Sequence, residues 1–343
     1  MVDRITFMGI HGSPYTRKMM ALLRYRHLPY RFIGPDTAKA EGRPEPRIPF
    51  FPTFYLPDDA GIEKAVTDST PIIRRLETLH QGRSVLPTDP ALALINDVLE
   101  DYGDEWLTKA MFHYRWVREA DIERGGTIIP MWMNLSQPDQ VLAAAGRSFA
   151  ERQIDRLGYV GSNEITGPVI EDSYRRFILA LNAHLRDWPF LLGTRPASAD
   201  FAIYGQLTQL AQFDPTPMAL TLELAPRVFA WVDRMDDLTG HDPAEDGWVA
   251  PETLPETLIA ILREAGRTYA PVMVANAMAV LSGSDSVEAM VDGQTWTQRP
   301  FSYQAKCLGK LRDTHAALST TDRTRFDAAI SATGCEALFQ PTG

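Results

Sequence analysis

Cysteine is almost absent: Cys307 and Cys335 are the only two in 343 residues. Two thiols so sparsely placed build no disulfide framework, and both are read as reduced and buried. Basic charge is also short, with 34 Lys and Arg against 44 Asp and Glu and a net charge of −10. That excludes nucleic acid as an expected partner, because phosphate binding needs a cationic face. Long apolar runs are missing. The most apolar stretch, "VMVANAMAVL" (272–281), is too short to cross a bilayer and reads as a core helix, so no membrane partner is expected. "MVDRITFMGIHGS" lacks the cationic and apolar segments of an export signal, and a cytoplasmic protein is expected. The seven His are scattered, and no H-E-x-x-H or C-x-x-C spacing is present, so no metal site is expected.

What is present divides the chain. "RITFMGI" (4–10), "YRFIG" (30–34), "TFYL" (53–56) and "KAV" (64–66) read as strands, the last two joined by the turn signal "DDAG". A helix follows the first strand at once. Residues 36–48 read as a loop or a short irregular helix, and "DSTPIIRRLETLH" (68–80) reads as a helix capped by Asp68 or Ser69. After the linker "QGRSVLPTDP" (81–90) the pattern turns helical. Leu92, Ile95, Leu99, Tyr102, Trp106, Ala110 and His113 step by 3 or 4, which predicts one long helix. Further helices are expected over 139–157, 171–187 and 225–238, with a tight turn into a buried helix at "LLGTRPASADFAIYGQL" (191–207). The acidic, Pro-rich 242–256 marks a second boundary. Helical patterns then recur near 257–265, 272–281, 303–318 and 322–332.

The informative stretch is "GIHGSPYTRKMMALL" (9–23). Ser13-Pro14 before an apolar-periodic run is an ordinary helix cap: serine accepts the orphan N–H groups and proline suits the first helical position. With sulfur for its two hydroxyls, Ser13-Pro14-Tyr15-Thr16 would be the dithiol turn of a redox protein. Two later features accompany it. Pro52 stands directly before a strand, where it cannot join the ladder and often marks a cis turn. "DST" (68–70) opens a second helix with an acid and a hydroxyl.

These motifs resemble those of the glutathione transferase family. "GSPYTRKMMALL" is similar to the active-site turn of its serine-type members, "FPTFYL" to its cis-Pro strand, "DSTPIIRRLE" to its E-S-x-A-I helix, and "LLGTRPASADFAIYG" to its G-x-P-S-x-A-D turn. The resemblance covers roughly residues 4–240. It implies an α/β thioredoxin-like N-terminal domain (1–82) that binds glutathione, an all-α C-terminal domain of the transferase type (88–240), and a helical extension (241–343) beyond the family's ordinary length. It implies that Ser13 hydrogen-bonds the glutathione thiolate. It also implies that Phe51, held by cis-Pro52, offers its backbone to the cysteinyl part, that Asp68 and Ser69 hold the γ-glutamyl end, and that Arg43 or Arg47 meets the glycyl carboxylate. Elementary chemistry agrees. Lowering a thiol pKa of about 8.5 by about two units takes roughly 2.7 kcal/mol, within reach of a hydroxyl donor and the positive end of a helix.

The chain departs from the family pattern in places. Ala197 stands at the usual capping Ser or Thr position of the 191–207 turn, Ser198 comes one residue late, and Asp68 replaces the commoner Glu or Gln. The face expected to bind a small hydrophobic electrophile carries Tyr15, Trp106, His113 and Tyr114, although such a stripe is also what a helix core looks like. The expected activity is thiolate attack on that electrophile, with glutathione as co-substrate. A non-catalytic ligand- or partner-binding module of the same fold is the first rival. The second is a thiol-disulfide oxidoreductase, which would need Cys307 or Cys335 in the cleft. Family resemblance further implies a twofold homodimer.

Overall fold

The computed structural model describes residues 4–340; the outermost ends of the first and last expected domains lie outside the described residues. β1 (Ile5–Met8) leads into α1 (Pro14–Tyr25), and β2 (Tyr30–Ile33) returns parallel to β1. The short α2 (Pro35–Ala40) occupies the start of the segment read as loop or irregular helix. β3 (Thr53–Pro57) and β4 (Glu63–Val66) form an antiparallel pair, giving the sheet order β2-β1-β3-β4, and α3 (Ser69–Leu79) closes the unit. Phe7 and Phe54, paired across β1 and β3, stack at 4.7 Å in the core of this layer.

The helical part begins with α4 (Pro90–Tyr102), capped by the Asp89 carboxylate on the Ala91 and Leu92 N–H groups. A π-turn, Gly103–Leu107, joins it to α5 (Thr108–Val117), so the long helix expected over 92–113 is one rod with a bulge. Then come α6 (Glu119–Met133), not anticipated from the sequence, α7 (Asp139–Ile154), α8 (Thr166–His184), the fully buried α9 (Ser198–Leu210), α10 (Pro215–Leu224), also not anticipated, and α11 (Pro226–Asp236). At the start of α9 the capping box is half built. Asp200 accepts from the Ala197 and Leu191 N–H groups, whereas Ala197 has no oxygen to return. Ser198 turns instead to the interdomain polar cluster, donating to Glu100 at 2.6 Å. Gly205 brings α9 against α1: a Cβ there would lie 2.5 Å from the Pro14 carbonyl oxygen.

The extension differs from its expectation in two respects. α12 (Glu256–Ser282) joins the two expected helical patterns into one 27-residue helix. Between it and α13 (Ser302–Ala317) the chain forms a hairpin, β5 (Val287–Val291) and β6 (Gln294–Gln298), where only helix was expected. Asp292 and Gly293 both take positive φ, 53° and 75°, the two-residue turn that an Asp-Gly pair favours. α14 (Thr320–Ile330) completes it. The extension is no separate body. Tyr269 of α12 bonds Asp101 of α4, Arg325 of α14 pairs with Asp89 at 2.7 Å, and Trp296 of β6 is fully buried against Trp106 at 5.3 Å. Among the described residues no helix is long and apolar enough to cross a membrane.

Candidate active site

Ser13 is the N-cap of α1, in extended conformation at φ −94° and ψ 119°. Its hydroxyl accepts from the Thr16 N–H at 3.2 Å and donates to the Phe51 carbonyl at 3.2 Å. The Phe51–Pro52 bond is cis, and the Phe51 carbonyl beside it meets the N-terminus of α1 through Ser13. Asp68 lies at φ 82°, a conformation uncommon for residues other than glycine. Tyr303 of α13 lines the same cavity, and burial raises the Asp68 pKa. One helix N-terminus, one cis turn and one strained helix entry thus converge.

Beneath them lies a buried ion cluster. The Lys18 ammonium, fully buried on α1, donates to Glu100 at 2.8 Å, Asp104 at 2.7 Å and Ser69 at 3.2 Å. Arg74 of α3 adds a 2.8 Å bond to Glu100. Burial alone would raise the Glu100 pKa; the Arg74 and Lys18 charges overcome it and hold the carboxylate well below its usual range. The cluster ties α1 and α3 of the sheet domain to α4 and the π-turn. It holds Ser69 by its hydroxyl, so this residue is engaged with protein.

Ser13, Phe51, Pro52, Asp68, Ser69 and Tyr15 all line one cavity of about 700 Å³ between the two domains. The Tyr15 hydroxyl is held by the Asp104 carbonyl at 2.8 Å. Trp106, His113 and Tyr114, expected as pocket residues, line no part of it and need correction. Trp106 donates to Ser173 at 2.8 Å, His113 sits between Ser162 and Glu171 at 2.7 and 3.2 Å, and the Tyr114 ring meets Tyr174 at 5.6 Å. The stripe 106, 110, 113 faces α8 and the hairpin, and it is core. The adjacent face of the rod, with Glu105, Lys109, Phe112 and Trp116, lines the cavity. Arg47 is exposed and off the cavity wall, and Arg43 is held by Glu41 and Glu63 at 2.9 and 2.8 Å. Neither cysteine lines the cavity. Cys335 bonds the Leu262 carbonyl, and burial pushes its thiol up to about 12; burial likewise drives the Cys307 thiol upward. The condition set by the redox rival is therefore not met.

The sequence reading missed Glu105, Lys109, Tyr303 and Gln304, which all line the cavity. Glu105 and Lys109 sit across the π-turn, which resets the helical face by an extra residue and carries no motif. Tyr303 and Gln304 come from α13, some 290 positions from Ser13 in the chain. Burial pushes Glu105 up to about 7 and Asp104 up to about 6, and lowers Lys109 to about 8. The chemistry on offer is an anion seat at a helix end, an extended backbone edge beside it, and a far wall with a carboxyl that is half protonated near neutrality.

Residues 7–84 match the family described as "Glutathione S-transferase, N-terminal domain", and residues 140–234 match "Glutathione S-transferase, C-terminal domain". Among curated proteins, an isoprene-epoxide glutathione S-transferase of a Rhodococcus species is 25% identical over 205 residues, spanning 58% of this chain and 80% of that protein. Among solved structures, a Methylobacterium radiotolerans glutathione S-transferase in complex with glutathione sulfonate is 19% identical. It covers 72% of this chain and 100% of its own, with a TM-score of 0.39. A Pseudomonas fluorescens family member with two glutathione bound is 14% identical over 68% of this chain and 93% of its own, with a TM-score of 0.41. With both halves of the family matched in order, and a β-α-β, β-β-α sheet domain followed by helices, the chain belongs to the glutathione S-transferase superfamily.

Proposed function

We propose that this protein is a glutathione transferase that activates the glutathione thiol for attack on a small hydrophobic electrophile. The observation that carries this reading is the Ser13 hydroxyl at the N-terminus of α1, opening into an interdomain cavity beside the cis-Pro52 turn. A thiolate there is the stronger acceptor, so the Ser13 hydroxyl turns from the Phe51 carbonyl to the sulfur. The helix N-terminus adds its positive end to the same anion. The Phe51 carbonyl, released, accepts from the cysteinyl N–H, and Asp68 receives the γ-glutamyl ammonium. Ser69 supports that end while keeping its bond to Lys18. Arg43 or Arg47 meets the glycyl carboxylate by side-chain rotation. The electrophile occupies the apolar part of the cavity around Tyr15, Phe112, Trp116 and Ile129. The relative that takes an isoprene epoxide supports an epoxide among the substrates. Twofold homodimerisation belongs to the same proposal, with light scattering as its check.

Titration calorimetry and the ultraviolet absorbance of bound thiolate test the central step. Wild type is expected to bind glutathione and to ionise its thiol near neutral pH. Ser13→Ala is expected to keep the binding and to raise the bound thiol's pKa by about one to two units. Absence of glutathione binding at millimolar ligand sinks the proposal, as does thiol ionisation that is indifferent to Ser13→Ala.

A further inference from the structure

The cavity has a second polar end that thiol activation does not use. Glu105 and Lys109 line it from the rod, one helical turn apart, at 7% and 3% exposure. Lys109 is drawn away by the extension: its Nζ donates to Gln298 Oε1 at 2.9 Å and lies 5.7 Å over the Trp296 ring. Gln298 also accepts from Trp296 Nε1 at 3.1 Å and donates to Gln304 Oε1 at 3.3 Å. Gln304, its oxygen so engaged, lines the same cavity as Glu105. Next to it, Asp104 Oδ1 is buried with no hydrogen-bond partner among the described residues. The extension therefore engages the cation beside this carboxyl, the Lys109 ammonium, and sets Tyr303 and Gln304 into the same cavity wall as Glu105.

We propose that Glu105 is the proton donor to the oxygen released when the thiolate opens an epoxide, so that the extension adapts this enzyme to electrophiles that need a proton. The proposal rests on the thiol-transfer reading above. In the step, the glutathione sulfur forms a C–S bond to one ring carbon. The C–O bond to that carbon breaks, and its electron pair goes to the ring oxygen. That oxygen takes the Glu105 carboxyl proton, giving a hydroxy-thioether. Glu105 regains a proton from water, which balances the one glutathione's thiol released on ionising. A carboxyl held near 7 by burial is about half protonated at neutral pH, enough to serve as a general acid there.

The groups around Glu105 set its titration. Asp104 of the π-turn, Asp101 of α4 and Asp68 at the start of α3 disfavour its ionised form, and Lys109 of α5 favours it. Tyr15, Tyr303 and Cys307 also face it, and burial raises the pKa of each, so they stay neutral in this range.

The test compares a simple aliphatic epoxide with chlorodinitrobenzene, whose leaving chloride takes no proton. Glu105→Gln is expected to lower the epoxide-to-chloride ratio of kcat by about 100-fold. In the wild type, kcat on the epoxide should fall as pH rises through about 7, and Glu105→Gln should abolish that limb. Lys109→Met, which removes the cation favouring the carboxylate, should move the limb to higher pH; it reads the same group if Glu105→Gln does not fold. An unchanged ratio overturns the proposal, as does a limb that Lys109→Met leaves in place. Wild-type turnover of the chloride but not of the epoxide overturns the role of Glu105 alone. Turnover of neither overturns the thiol-transfer reading together with it.

Discussion

At the sheet end of the cavity the lining groups are a helix cap, a cis turn and a helix entry, all within residues 13–69. At the far end they are side chains on a bulged helix, held by a hairpin and a helix more than 180 positions further along. The first kind of site is local. Each of its parts is fixed by a few neighbouring residues, and the ion cluster around Lys18 locks the parts together. The second kind exists only once the extension has packed, because Gln298 and Gln304 belong to it. A local site tolerates changes elsewhere, whereas a site assembled from distant segments inherits their stability.

The largest effect that would break this contrast is removal of residues 255–343. The extension buries Leu258, Ile261, Leu262 and Tyr269 against the helical domain. Their loss exposes the matching faces, so the truncated chain is expected to lose cooperative thermal unfolding by circular dichroism. A soluble, cooperatively folding truncation would show that the extension is an appendage. Next comes Lys18→Met, which leaves Asp104 buried without a cation and Glu100 with Arg74 alone. A loss of about 3–5 kcal/mol is expected in denaturant unfolding. In the wild type the same cluster predicts acid sensitivity. Glu100 is held below its usual pKa in the fold, so its contribution is complete above the unfolded value of about 4.3 and is lost as pH falls below that.

Gly205→Ala should follow, at about 1–3 kcal/mol, because its methyl meets the Pro14 carbonyl and α1 must shift. As α1 carries Ser13, the affinity for glutathione should fall with it, while a compensating change confined to stability would show the cap is insulated from α9. Ser13→Ala should cost only about 1 kcal/mol of stability as a lost cap, whatever it does to the thiol. Arg47→Ala is expected to be the smallest, within about 0.5 kcal/mol in stability, as for an exposed side chain. A raised KM for glutathione in that variant would place Arg47 at the ligand and enlarge the local site.

The half-built capping box shows how far a motif carries. Asp200 performs its part as spacing predicts, because the i to i+3 geometry of a helix start is local. That Ser198 would be drawn to Glu100 could not be read, because its partner lies 98 positions away. The aromatic stripe shows the opposite failure. Its helical period is real, and every member is buried, but periodicity says only that one face is covered and not by what. The hairpin was legible in principle, since "VDGQ" carries an Asp-Gly turn between strand formers. Only the π-turn left no trace in residue type.

The sequence by itself determined the order of elements from β1 to α3, the cap at Ser13, the turn at Pro52, the entry of α9 and the net negative charge. These follow from dihedral preferences, missing donors and short-range hydrogen bonds, which act over a few residues. The tertiary structure alone decided which face of the long rod meets the cavity, that Trp106, His113 and Tyr114 are core, and that α13 closes the wall beside Asp68 and Glu105. Those outcomes depend on burying apolar surface between segments far apart in the chain. The energy of that burial depends on area and fit, which no local pattern of residues specifies.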